Sequence, residues 1–195
     1  MAEDRTVTVR PRRTDDLPAL TRVLADQQPG SGYPVRWPLP FPVEEFLVRS
    51  NEEAAWVAEV AGHVVGHVSV CGVGADVGPA FAAAAGTEDL AELAVLFVAA
   101  GQTGRGIGGR LIDTAVAWIR AGGRTPVLDV IPTHERALAV YLRRGWRVVG
   151  EIRPDWLTDE QPAMVLMTLA ETLAETSEGA SAATTPPTRR CSPSS

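Results

Sequence analysis

Residues 93–119 constrain this chain more than any other stretch, because an apolar strand, a glycine turn and a helix run together there without a break. Leu93, Ala94, Val95, Leu96, Phe97 and Val98 form a short apolar run with β-branched and aromatic members. Gly101, Gly104, Gly106, Gly108 and Gly109 follow in close succession. Ile107, Leu111, Ile112, Ala115, Val116 and Ile119 then recur at three- and four-residue steps, which is the spacing of a helix with one buried face. The first turn of such a helix leaves backbone N–H groups without intrahelical partners. Fed by a glycine turn, those groups aim at whatever fills its mouth, and phosphate oxygens are the natural occupant.

The rest of the chain supplies elements around this unit. Residues 6–10 alternate Val7 and Val9 with polar side chains and read as a half-buried first strand. Thr14 is the expected N-cap of a helix whose buried stripe is Leu17, Leu20, Val23 and Leu24. Residues 28–42, with five prolines and the aromatics Tyr33, Trp37 and Phe41, break that helix and read as a stiff loop. A short helix carrying Val43, Phe46 and Leu47 follows, then two antiparallel strands at 54–60 and 63–73 joined by a tight turn at Ala61 and Gly62. Residues 74–89, rich in glycine and alanine, are expected to form a second long loop. Beyond the central helix, Gly122 and Gly123 act as a stop and residues 126–131 read as a buried strand. Residues 134–144 are helical, with Ala137, Leu138, Tyr141 and Leu142 on one face, and strands at 146–152 and 163–169 complete the order. That order, β-α-α-β-β-β-α-β-α-β-β, predicts a mixed α+β sheet of seven strands, mostly antiparallel, with helices on both faces. One domain over residues 1–170 is expected. The Thr, Ser, Ala, Glu and Pro composition of residues 171–195, without apolar periodicity, reads as a disordered tail.

Composition removes several functions. All 18 basic residues are arginine, which excludes a lysine nucleophile or Schiff base, and the Ala, Gly and Pro richness suggests a G+C-rich bacterial source. A formal charge of −6 argues against general nucleic-acid binding and leaves room for a cationic small substrate. No apolar stretch approaches the roughly 18 residues of a membrane span, and no secretory leader opens the chain, so a cytoplasmic location is expected. Cys71 and Cys191 form neither a disulfide framework nor a metal motif. His63 and His67 share a strand face about 13 Å apart by strand rise, too far to chelate one ion, so no metal is expected.

The element order, with a glycine turn after the fourth strand, resembles the GNAT superfamily of acetyl-CoA-dependent N-acetyltransferases. The family's turn, Gln/Arg-x-x-Gly-x-Gly/Ala, is matched by Thr103, Gly104, Arg105, Gly106, Ile107 and Gly108, with Thr103 at the Gln/Arg position and Gln102 one residue earlier. The family's later helix, Ala-x-x-x-Tyr-x-x-x-Gly-Phe, is matched by Ala137, Tyr141, Gly145 and Trp146. The resemblance covers residues 6–169. It implies acetyl transfer from acetyl-CoA to a primary amine of a small molecule or peptide, by direct attack in a ternary complex, and it admits a homodimer. Gln102 through Gly109 would then cradle the pyrophosphate, while Leu96, Phe97 and Val98 pair their backbone with the pantetheine arm and the N–H near Phe97 polarises the thioester carbonyl.

An alkyl ammonium has a pKa of roughly 10.4, so it must lose a proton before it attacks. Glu92 opens the fourth strand, shares its face by simple alternation with Ala94, Leu96 and Val98, and is the first choice of base; Glu88 and Asp89 are fallbacks. Tyr141 would serve the leaving thiolate. Tyr33, Arg36 and Trp37 form the expected substrate wall, with residues 74–89 as the opposite lip and Trp156 as a further candidate. Two other readings use the same residues. A non-catalytic acyl-CoA-binding module would keep the cradle without a working base. A dinucleotide-binding protein would read Gly104, Gly106 and Gly109 as its fingerprint with Asp129 on the ribose, although the turn lies too far past its strand.

Overall fold

The computed structural model describes residues 6–169. Its elements run β1 (Val7–Pro11), α1 (Leu17–Ser31), α2 (Val43–Leu47), β2 (Glu52–Val60), β3 (His63–Cys71), α3 (Gly78–Ala85), β4 (Leu90–Val98), α4 (Ile107–Ala121), β5 (Thr125–Val130), α5 (Glu135–Arg143), β6 (Arg147–Ile152) and β7 (Met164–Thr168). The strands form one seven-stranded sheet in the order β1-β2-β3-β4-β5-β7-β6. Every neighbouring pair is antiparallel except β4 and β5. One parallel pair is too few for a doubly wound dinucleotide fold, so the NAD reading falls. Among the described residues no helix is long and apolar enough to cross a membrane. The expected disordered tail lies outside the described residues.

Both sheet faces are covered. Ile107, Leu111, Ile112, Ala115, Val116 and Ile119, the six positions picked out by helical spacing, are all buried, and α4 and α5 pack with Leu93, Val68 and Leu128 on one face. Leu20, Leu24 and Leu47 of α1 and α2 pack on the other face against Val57, Ala94 and Phe97, and Phe81 of α3 packs beside them against Val127 and Leu166. The β2–β3 turn has both Ala61 (φ 50°) and Gly62 (φ 77°) in the left-handed region, the requirement of a two-residue hairpin.

Four expectations are corrected. Residues 74–89 contain α3, because a run of alanines behind Pro79 is helix-forming once Phe81 has a fully buried socket, and Gly86 (φ 70°) then ends it. Helix α1 continues past residue 28 with Pro29 in its last turns and ends at Gly32 (φ 70°), whose N–H reaches the Gln28 carbonyl at 2.7 Å. Asp16, not Thr14, holds the start of the first helical segment: its Oδ2 accepts from the Arg13 N–H at 2.7 Å, and Arg10 holds the same carboxylate at 2.7 and 2.8 Å. Leu142 turns outward and is 50% exposed, while Tyr141 takes the buried position on α5.

Two irregularities in β4 position the site. Parallel pairing with β5 ends at Glu92 opposite Val127, after which β4 runs on to Val98 beside β3, and β5 to Val130 beside β7. The strands therefore splay. Val95 has φ 50°, an unusual value for a β-branched residue, where the β3–β4 register slips between His67 and Ser69. This bulge reverses the side-chain alternation, so Val95 and Phe97 join Ala94 in the α1–α2 cluster while Leu96 and Val98 turn toward α4. Glu92 thus shares a face with Ala94 but not with Leu96 and Val98.

The bulge is held from behind. His67 is fully buried, with Nδ1 2.9 Å from the Val95 carbonyl and Nε2 3.2 Å from Arg12 Nη1. A carbonyl only accepts and a guanidinium only donates, so the ring is neutral with its proton on Nδ1. Burial lowers its pKa to about 4, in keeping with that state. Arg12 is itself fixed by Glu52 at 2.5 and 2.9 Å and by the Leu47 carbonyl at 2.7 Å.

Candidate active-site cleft

The splay of β4 and β5 opens into a cleft of about 1770 Å³. Its wall on the α4 side is the glycine turn. After a short 3-10 turn (Ala100–Gln102), Gly104 (φ 77°) and Gly106 (φ 76°) adopt left-handed backbone that side chains resist, and neither would have an atom within 4 Å of an added Cβ. Ile107, fully buried, then anchors the helix start, and the first intrahelical bond runs from Arg110 N–H to the Gly106 carbonyl at 3.1 Å. Ile107, Gly108 and Gly109, whose N–H groups precede that ladder, line the cleft. This bare backbone with a helix dipole behind it fits a pyrophosphate.

Side chains contribute little to the turn. Thr103 Oγ1 is bonded to the Ala100 carbonyl at 3.2 Å, and Arg105 donates back to the Gln102 amide oxygen. Arg105 itself does not line the cleft, although Gln102, Thr103, Gly104 and Gly106 do. Arg144 packs behind the cradle, donating to the Gly109 carbonyl at 3.2 Å and pairing with Asp113.

Across the cleft, the floor is made of side chains. Gln27 and Gln28 tie the loop after α1 to the helix, donating to the carbonyls of Tyr33 at 2.5 Å and Pro34 at 3.2 Å. Tyr33 meets Phe46 and His134 edge-on at 5.9 and 5.7 Å. Tyr33 and Arg36 line the cleft; Trp37 does not, because its indole packs into the apolar cluster beneath α1 and α2. Trp156, 47% exposed, stands at the rim, and Gly74, Asp76 and Val77 form the opposite lip. Glu88 and Asp89 are exposed and lie outside it.

Glu92 is 8% exposed and lines this floor. Burial, the nearby Asp129 and more weakly Asp76 raise its pKa to about 7 against the opposing pull of Arg49. Asp129, on β5, is raised by burial in the same way, again with Arg49 opposing. Two carboxyls in one poorly hydrated site discourage each other's ionisation. Among the described residues, neither carboxylate has a hydrogen-bond partner. Tyr141 is buried, lines the cleft and meets Trp146 edge-on at 5.8 Å. Burial raises its pKa, so the phenol keeps its proton.

Arg49 and Asp129 were missed from the sequence. Asp129 carried a signal, a lone carboxylate in an otherwise apolar strand pattern. Arg49, just past a five-residue helix, carried none. Among the described residues no group of three or more His, Cys, Asp or Glu is placed to hold a metal ion.

Comparison with known proteins agrees with this architecture. Residues 18–146 match the sequence profile of the acetyltransferase (GNAT) family. A search of curated proteins by sequence finds no match. Among solved structures, a GCN5-related N-acetyltransferase from Kribbella flavida superposes with a TM-score of 0.63 at 20% identity, over 85% of this chain and 98% of that one. An N-acetyltransferase from Staphylococcus aureus Mu50 gives 0.63 at 18% identity over 84% and 96%. The PaiA N-acetyltransferase from Thermoplasma acidophilum, solved in complex with coenzyme A, gives 0.60 at 15% identity over 85% and 99%.

Proposed function

The chain belongs to the GNAT acetyltransferase family, and from that premise we propose that it transfers the acetyl group of acetyl-CoA to a primary amine of a small molecule or peptide, by direct attack in a ternary complex. The observation that carries this reading is Glu92: a buried carboxylate at the point where β4 and β5 part, with a pKa of about 7 and no protein partner among the described residues. A general base works best with a pKa near the operating pH, which an ordinary exposed glutamate lacks. Acetyl-CoA, when bound, supplies the activated acetyl thioester.

The protein's own groups do the rest. N–H groups of Gly104 through Gly109 hold the pyrophosphate. The edge of β4 beyond Glu92, which has no strand partner on the β5 side, orients the pantetheine arm. Glu92 takes a proton from the acceptor ammonium, directly or through a water. Tyr141, held as the neutral phenol, donates a hydrogen bond at the position of the departing sulfur; full proton transfer to a thiolate runs uphill from a phenol whose pKa is raised.

The test is release of free CoA from acetyl-CoA in the presence of a broad amine panel, for the wild type and for Glu92→Gln. The wild type is expected to turn over at least one amine. The variant should lose about 10²- to 10⁴-fold in kcat and retain its thermal stabilisation by acetyl-CoA. Stabilisation by acetyl-CoA with no release for any amine would instead identify a non-catalytic acyl-CoA-binding module.

A further inference from the structure

The floor of the cleft holds more polar groups than acid–base chemistry at one amine needs. Glu92, Asp129, Arg49 and Tyr33 all line it, and among the described residues none of their head groups makes a hydrogen bond to the protein. Folded proteins rarely leave such groups without partners unless a ligand or water completes them. Arg49 is the least expected. It is half-buried, its guanidinium carbon lies 5.6 Å from the centre of the Phe46 ring, and among the described residues it forms no ion pair although Glu92 and Asp129 line the same cleft. By contrast, Arg10, Arg12, Arg124 and Arg144 each pair with a carboxylate.

We infer that the acceptor carries a carboxylate as well as its amine, and that Arg49 is the group that reads it. The inference rests on the acetyltransferase reading and names the acceptor's chemistry at that same site. A simple alkylamine or polyamine would satisfy Glu92 and Asp129 and leave the guanidinium unpaired beside an incoming positive charge. An amino acid satisfies both ends: its ammonium meets the carboxylate pair and its carboxylate meets the Arg49 fork, the geometry for which a guanidinium is suited. The zwitterion also adds no net charge to a floor that already holds both signs.

Arg49 has a second effect that the experiment must separate. Its positive charge favours ionised Glu92, so removing it slows every acceptor. That effect cancels in a ratio. The experiment therefore measures kcat/KM for matched acceptors of one skeleton, α-amino acids against their α-amides and their decarboxylated amines, in the wild type, Arg49→Met and Arg49→Lys. In the wild type the free acid should be preferred by about 10- to 100-fold over its amide. In Arg49→Met that preference should collapse to near unity, with the change in KM rather than kcat, while Arg49→Lys keeps part of it. Turnover of amines with no preference for the acid overturns the inference and leaves the acetyltransferase reading standing, and needs no variant to be seen. So does a preference that survives in Arg49→Met. Absence of turnover with every member of the panel overturns the acetyltransferase reading and this inference with it.

Discussion

The two walls of the cleft are built on opposite plans. The cradle is local and made of backbone: residues 99–109 supply it in one run, Thr103 and Arg105 bond back onto the turn itself, and α4 behind it has all six of its spaced apolar residues buried. The floor is assembled at a distance and made of side chains, Tyr33 from the loop after α1, Arg49 from beyond α2, Glu92 from β4 and Asp129 from β5. A wall of N–H groups recognises a feature shared by every nucleotide pyrophosphate, whereas a wall of side chains is free to change with the acceptor. On the proposed function, discrimination among acceptors belongs to the floor.

Substitution of Gly106 should break one wall and spare the other. Valine at φ 76° meets left-handed backbone strain of about 1–2 kcal/mol and fills space that is open in front of the turn. We expect Gly106→Val to raise the acetyl-CoA Kd by about 10- to 30-fold in a titration, and the amine KM at saturating acetyl-CoA to stay as it was. A comparable rise in both constants would mean that the two walls are not separable.

His67 lies where the plans meet, because the bulge it holds sets the direction of β4 for both. Leucine at this position leaves the Val95 carbonyl and an Arg12 N–H without their partner, at a cost of about 1–3 kcal/mol measurable by urea unfolding. Here the acetyl-CoA Kd and the amine KM should rise together, and a change confined to one of them would show that the bulge serves a single wall.

The smallest effect concerns the floor alone. With Glu92 at about pKa 7, kcat/KM should climb with pH through neutrality as the base ionises and level off above it. Asp129 raises that pKa, so Asp129→Asn should move the acid limb to lower pH and increase the rate on the acid side. A pH–rate profile checks the sign: movement to higher pH would mean that the two carboxyls do not repel.

The same contrast decides what could be read in the sequence. The glycine turn and α4 were legible because glycine needs and helical spacing are local, and the seven strands followed from alternation and turn residues. Trp37 was misplaced since sequence does not tell an aromatic facing a cleft from one packed behind it. The alanine-rich stretch that became α3 was hidden because its helix depends on a distant socket for Phe81. The bulge at Val95 left no trace, as neither glycine nor proline marks it, and with it went the true face of Leu96 and Val98. Arg49 was invisible for the same reason that it matters: its neighbours come from four other parts of the chain.

The parting of β4 and β5 has a mechanical side. Among the described residues, three paired positions, Leu90 with Thr125, Ala91 with Pro126 and Glu92 with Val127, stitch the slab β1–β4 to the slab β5–β7 along the sheet, with α4 laid across the seam like a splint. An extended molecule lying in the gap becomes mortar between the slabs. Occupancy then stiffens the whole body rather than one loop, and amide hydrogen exchange along both strand edges should slow as a unit when the gap is filled.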